Sequence, residues 1–168
     1  MGIYLNPDNM DFQIAINSEL YVDKSELIKC TNSLIYTEQR FICVSRPRRF
    51  GKSMAANMLA AYYSSGCDSK GIFSKFKIAA NPTFEKHLNK YNVIHINMLD
   101  FVGEKRHIIE SLDYLSKRLI HEIKKENGDV DCFDWNDLMS VLAEVFNEKR
   151  VPFIFIIDEW DCVFREYK

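Results

Sequence analysis

Apolar and polar positions along the chain fall into two kinds of pattern. Ile108, Leu112, Leu115, Leu119 and Ile123 recur every three or four residues, the period of an amphipathic helix, and Gly128 suits its C-cap. A second helix is predicted from about Asp134, its N-cap, to Asn147, with Trp135, Leu138, Met139, Leu142, Val145 and Phe146 on one stripe. Residues 21–34 predict a third: Asp23 as N-cap, Glu26 reaching back in a capping box, and Leu27, Ile28, Thr31 and Leu34 facing inward. From Gly51 to about Tyr63 no proline and no further glycine interrupts Met54, Met58, Leu59 and Tyr62, again at helical spacing. Between these lie three short apolar runs: FICV (Phe41 to Val44), NVIHINM (Asn92 to Met98) and FIFII (Phe153 to Ile157). Such runs predict strands buried on both faces. SSGCDSKG (Ser64 to Gly71) predicts a surface loop. Strands separated by helices predict an α/β fold with a mainly parallel sheet.

Composition narrows the class. The 168 residues are the size of one domain; 47% are hydrophobic and 27% charged, as in ordinary globular proteins. A net charge of −2 argues against a chain that coats nucleic acid, and no basic-aromatic platform is present. Five cysteines without a CxxC pair suggest neither a disulfide framework nor a zinc site. No apolar run is long enough to span a bilayer and the amino terminus is not a signal peptide, so the expectation is a cytoplasmic protein with no membrane partner.

The chemistry centres on SRPRRFGKSM, Ser45 to Met54, directly after FICV. Its tail, Gly51-Lys52-Ser53, is the end of the phosphate-loop pattern GxxxxGK[ST], placed between a strand and a helix as that mechanism requires. Backbone N–H groups at the helix start would cradle phosphate oxygens, Lys52 would neutralise β- and γ-phosphate charge, and Ser53 would offer its hydroxyl to Mg²⁺. Arg48 and Arg49 add positive charge, and Phe50, Gly51 and Met54 complete the candidate nucleotide-binding set. Arg46 stands where the first glycine of the pattern belongs, and Pro47 beside it fixes φ and offers another way to turn.

A second group answers the first. The run FIFII ends in Asp158-Glu159, a carboxylate pair at the tip of a strand. Asp158 would hold Mg²⁺ and Glu159 would orient and deprotonate an attacking water. Either motif alone is weak: a chance tripeptide, or the acidic start of a solvated loop. Together they supply the two halves of one site.

The string RPRRFGKS, with YVDKSELI before it and IIDEWD after it, resembles the AAA-ATPase-like family of predicted P-loop ATPases. In that family RPRRFGKS is the usual phosphate loop, so the resemblance implies that Arg46 is a family trait; Asp158-Glu159-Trp160-Asp161 matches the family's Asp-Glu-Tyr-Asp, and Val22-Asp23-Lys24-Ser25 its Val-Asp-Lys-Thr. The implied fold is a P-loop NTPase, a three-layer α/β/α arrangement. Residues 1–40 would form a family-specific lead-in and 41–168 the core through the acidic strand. Such proteins carry a further strand between the loop strand and the acidic strand, contributed from beyond the acidic motif. These residues hold no candidate for it, so the expectation is the amino-terminal part of an ATPase domain, incomplete at its carboxyl end. Many family members continue into a nuclease-like domain of the PD-(D/E)XK type, a possible partner of this part.

The leading expectation is thus a Mg·ATP-binding module whose hydrolysis requires the remaining part. A non-catalytic interaction module or truncated remnant is one alternative, and a small-molecule phosphotransferase a second, disfavoured by the acidic pair. The four histidines show no common metal-ligand spacing, and His95 reads as a packed residue. Asp100, Asp161 and Arg165 are weaker candidates near the same cleft.

Overall fold

The structure, a computed structural model, describes residues 2–45, 50–101 and 108–166. In chain order the elements are α1 (Met10–Ile16), α2 (Glu26–Leu34), α3 (Lys52–Tyr63), α4 (Lys70–Phe73), α5 (Phe84–His87), β1 (Asn92–Asn97), α6 (Ile108–Glu126), α7 (Leu138–Lys149), β2 (Phe153–Asp158) and α8 (Cys162–Glu166). β1 and β2 pair in parallel, from Asn92 opposite Phe153 to Asn97 opposite Asp158. Parallel pairing follows from the long helical crossover between them.

Helices pack on both faces of this ribbon, because successive strand residues point to opposite sides. Ile94 and Ile96 of β1 enter one core with Leu115, Leu119 and Ile123 of α6 and Val141 and Val145 of α7. Val93, with Ile154 and Ile156 of β2 beside it, faces the other core, built from Phe12, Ile28, Met58, Tyr62 and Phe73. Phe12 stacks on Phe73 with ring centroids 5.2 Å apart. Each fully buried aromatic of this kind contributes about 1.5–3 kcal/mol through burial.

A buried polar network fixes α3 against α2. Tyr62 donates its hydroxyl to the Phe84 carbonyl at 2.6 Å and accepts from Asn32 Nδ2 at 3.2 Å, while Tyr63 donates to Asn32 Oδ1 at 2.7 Å and shares a hydrogen bond with Thr31 Oγ1 at 2.6 Å. Every member has a partner, so the network specifies one seating of α3 at modest cost.

The outer edge of β1 is closed by the amino-terminal segment. Leu5 bridges Ile94 antiparallel, the His95 amide donates to the Tyr4 carbonyl at 2.9 Å, and Val93 donates to Asn6 Oδ1 at 2.8 Å. Glu122, buried on α6, holds that segment by accepting the amides of Tyr4 and Leu5, each at 2.9 Å.

Several expectations are corrected. FICV is not a strand, and its side chains are exposed, Phe41 at 82%. A single segment has no ladder of its own. An open cleft of about 930 Å³ separates it from β2, and Phe155 and Ile157 of β2 are half exposed. The sheet among the described residues is accordingly two-stranded, where three strands were expected. The capping box at α2 does not form. Asp23 bonds the backbone of Ser25 and Lys77, the N-cap is Ser25, and Glu26 pairs with Lys77 at 3.8 Å. α7 begins three residues later than predicted, capped by Asp137, which accepts from Met139 and Ser140; Asp134 instead accepts from Asn136. Its buried stripe includes Val141 and leaves Met139 and Phe146 exposed.

Candidate functional site

Helix α3 starts where the phosphate-loop tail was read. Gly51 is its N-cap, at φ 74° and ψ 36°, and Lys52 is its first residue. That left-handed conformation is open to glycine at little cost and disfavoured for residues with a Cβ. It turns the chain so that the helix begins at once, with Ala55 N–H closing on the Gly51 carbonyl at 3.1 Å. The first-turn amides point out of the helix end, where the dipole is positive. Ser53 and Phe50 are exposed, and Met54 is half-buried. Arg46, Pro47, Arg48 and Arg49 lie outside the described residues, and so do the expectations placed on them.

The acidic pair sits at the carboxyl end of β2. Asp158 is buried, at 8% exposure, and its Oδ1 accepts the Glu159 amide at 2.9 Å. Glu159 has φ 52°, a left-handed conformation in a non-glycine residue. Such a conformation costs about 1–3 kcal/mol and concentrates at functional sites. It ends the strand abruptly, and the Glu159 carbonyl then accepts Cys162 N–H at 3.0 Å as α8 begins.

Both ends face one cleft: Lys52, Asp158, Glu159, Trp160 and Asp161 are among the residues that line the space between β2 and residues 41–44. Ser53 follows Lys52 on α3 but is not among the cleft residues, and Asp100 is exposed and also not among them. His95, two residues before the end of β1, has its pKa lowered by burial, although the Asp158 carboxylate pulls the other way. It therefore reads as the packed, neutral residue expected from its strand position.

Among the described residues no group of three or more His, Cys, Asp or Glu side chains forms a metal site. One buried carboxylate is compatible with Mg²⁺ carried by a nucleotide, because that ion keeps phosphate and water ligands and takes few from protein.

Residues 10–167 match the family model for predicted AAA-ATPases of the AAA-ATPase-like group. The chain belongs to that family. A search of curated proteins found no match, and neither did a search of solved structures. In this AAA-ATPase-like chain, an α/β architecture places Asp158 at the carboxyl end of β2 and Lys52 in the lining of the same cleft. No helix among the described residues is long and apolar enough to cross a membrane.

One neighbour of the AAA-ATPase-like loop was not singled out from the residues themselves. Lys24, from the turn before α2, donates from Nζ to the Phe50 carbonyl at 3.1 Å. The only sequence signal for it was the segment Val22-Asp23-Lys24-Ser25, since nothing local links residue 24 to residue 50.

Proposed function

We propose that this chain is the Mg·ATP-binding module of an AAA-type P-loop ATPase, with hydrolysis depending on a further, carboxyl-terminal part of the domain. The observation that carries the reading is that Lys52, at the head of a helix introduced by left-handed Gly51, lines the same cleft as buried Asp158 and strained Glu159. The family match over residues 10–167 supports it.

The roles follow from charge and position. The α3 amides and Lys52 bind the β- and γ-phosphates, which concentrate negative charge at a helix N-terminus. Arg48 and Arg49 add positive charge to the same loop. Ser53 and Asp158 hold the magnesium ion, which when bound neutralises phosphate charge. Glu159 accepts a proton from water as its oxygen bonds to the γ-phosphorus, and the bond from that phosphorus to the β–γ bridging oxygen breaks with its electron pair leaving on ADP. A bulk-exposed carboxylate would orient water poorly; the partly buried position of Glu159, on backbone turned to φ 52°, supports a positioned one.

Titration of the purified chain with ATP, with and without Mg²⁺, tests the reading beside a Lys52→Ala control. Saturable, Mg²⁺-strengthened binding that is lost in the control is expected. No binding by a folded chain would overturn the reading and favour an interaction module.

A further inference from the structure

We propose that Lys24 is a positioning residue of the phosphate loop, acting through the Phe50–Gly51 peptide; the role presupposes the nucleotide-binding reading above. Three observations converge on it. Lys24 Nζ donates to the Phe50 carbonyl at 3.1 Å, across 26 residues of sequence. A Cβ built on Gly51 would lie 2.7 Å from that same nitrogen, so the ammonium occupies the space that the glycine leaves open. The backbone that carries Lys24 is clamped on both sides. The Asp23 carboxylate accepts the amides of Ser25 at 2.8 Å and Lys77 at 3.0 Å, and Ser25 Oγ, fully buried, accepts the Ile78 amide at 3.1 Å.

The consequence lies in the geometry of a trans peptide, whose carbonyl and N–H point in opposite directions. Holding the Phe50 oxygen toward Lys24 turns the Gly51 N–H to the other side of that plane. Gly51 is then kept in the left-handed conformation from which α3 starts. A lysine that merely reached a nearby carbonyl would need no clamp behind it, because a free four-carbon stem loses its rotamer entropy on fixing and returns little. Here the two residues before and after the motif's turn are tied to residues 77–78, so the reach of Lys24 is set before the side chain is ordered. Asp23 and Ser25 thus serve the loop at one remove.

The test uses the full chain as wild type, Lys24→Met, Lys24→Arg and Lys52→Ala, titrated with Mg·ADP and Mg·ATP. Amide hydrogen exchange over residues 55–58, beginning with the Ala55 amide that closes on the Gly51 carbonyl, is measured without nucleotide, and thermal unfolding shows each variant folded. Loss of a charge-assisted hydrogen bond predicts that Lys24→Met weakens both nucleotides about tenfold and speeds exchange at the head of α3 by about the same factor. Lys24→Arg, which keeps a cationic donor, is expected to restore most of both. Wild-type affinity together with wild-type exchange in Lys24→Met overturns the proposal, as does equal loss in the Met and Arg variants. Should the wild-type chain bind neither nucleotide, the functional reading falls, while exchange still decides Lys24: faster in Met and restored in Arg supports it, unchanged overturns it.

Discussion

Replacing Gly51 by alanine separates the two demands that the helix start places on that position. The first is conformational. At φ 74° and ψ 36° an alanine sits in the left-handed region, which costs about 1–2 kcal/mol for a residue with a Cβ. The second is steric. The new Cβ would lie 2.7 Å from Lys24 Nζ, closer than such atoms approach, so the ammonium must swing away and give up the Phe50 carbonyl. At this exposed site that hydrogen bond is worth about 0.5–1.5 kcal/mol. Against these stands a gain of about 0.4–1 kcal/mol from the stiffer unfolded chain. The net expectation is a loss of about 0.5–3 kcal/mol, read as a lower urea midpoint at unchanged slope. A double-mutant cycle with Lys24→Ala then isolates the steric part, since in that background no ammonium remains to be displaced. The coupling should equal the hydrogen-bond share, about 0.5–1.5 kcal/mol, leaving only the backbone cost of Gly51→Ala. Strict additivity would refute the claim that Lys24 fills the glycine's space, and an undiminished midpoint in both backgrounds would refute the left-handed assignment itself.

Two further outcomes concern the frame around the site. Glu122→Ala removes the acceptor of the Tyr4 and Leu5 amides and should cost about 2–4 kcal/mol; hydrogen exchange should quicken at Val93 and His95, which bond the amino-terminal segment, but not at Asn92, whose amide donates to Pro152. His87, 3% exposed and bonded through Nδ1 to the Tyr91 hydroxyl, has its pKa lowered by burial below the ordinary histidine value, so the unfolded chain binds the proton first. Stability should therefore hold above pH ~6.5 and fall as the pH drops below it, with a shallower fall in His87→Gln when urea midpoints are compared from pH 7.5 to 5.5.

Long periodic segments were legible in the sequence because their information is local. The α6 stripe and the α3 run place Leu115, Leu119, Ile123, Met58 and Tyr62 inside, as the spacing predicts, while Leu112 on the same stripe stays 46% exposed. Cap positions were less legible, because an aspartate chooses among backbone amides that the fold brings to it. Asp23 was read against the helix it precedes, but the Lys77 amide, 54 residues on, takes one of its oxygens. With the amides of Lys77 and Ser25 and the Ser25 hydroxyl outweighing partial burial, its carboxyl lies below the ordinary range. At α7 two aspartates three residues apart both fit the cap rule. Only Asp137 reaches the amides of Met139 and Ser140, and the later start lets Trp135 lie outside the helix, under Lys124 Nζ at 5.0 Å from its ring.

The candidate site divides along the same line. Lys52, Asp158 and Glu159 could be named from residue type and position after an apolar run, since each motif carries its own chemistry; their place in one cleft required the fold. The apolar runs that flank them make the harder case. FICV and FIFII both read as strands covered on two sides, yet Ile42, Val44, Phe155 and Ile157 stand about half exposed across the same cleft, while Ile94 and Ile96 of β1 are buried. The difference lies in the edges. β1 has β2 on one side and the Glu122-held segment on the other, whereas β2 among the described residues has β1 alone. An apolar run specifies only that its faces want cover, and strand formation needs a second backbone within hydrogen-bonding distance. The reading of 41–44 as a strand buried on both faces was thus wrong in pairing and in burial alike. The acidic tip stays paired, Asp158 opposite Asn97 of β1, and Asp158 is buried although the other edge of its strand faces the cleft.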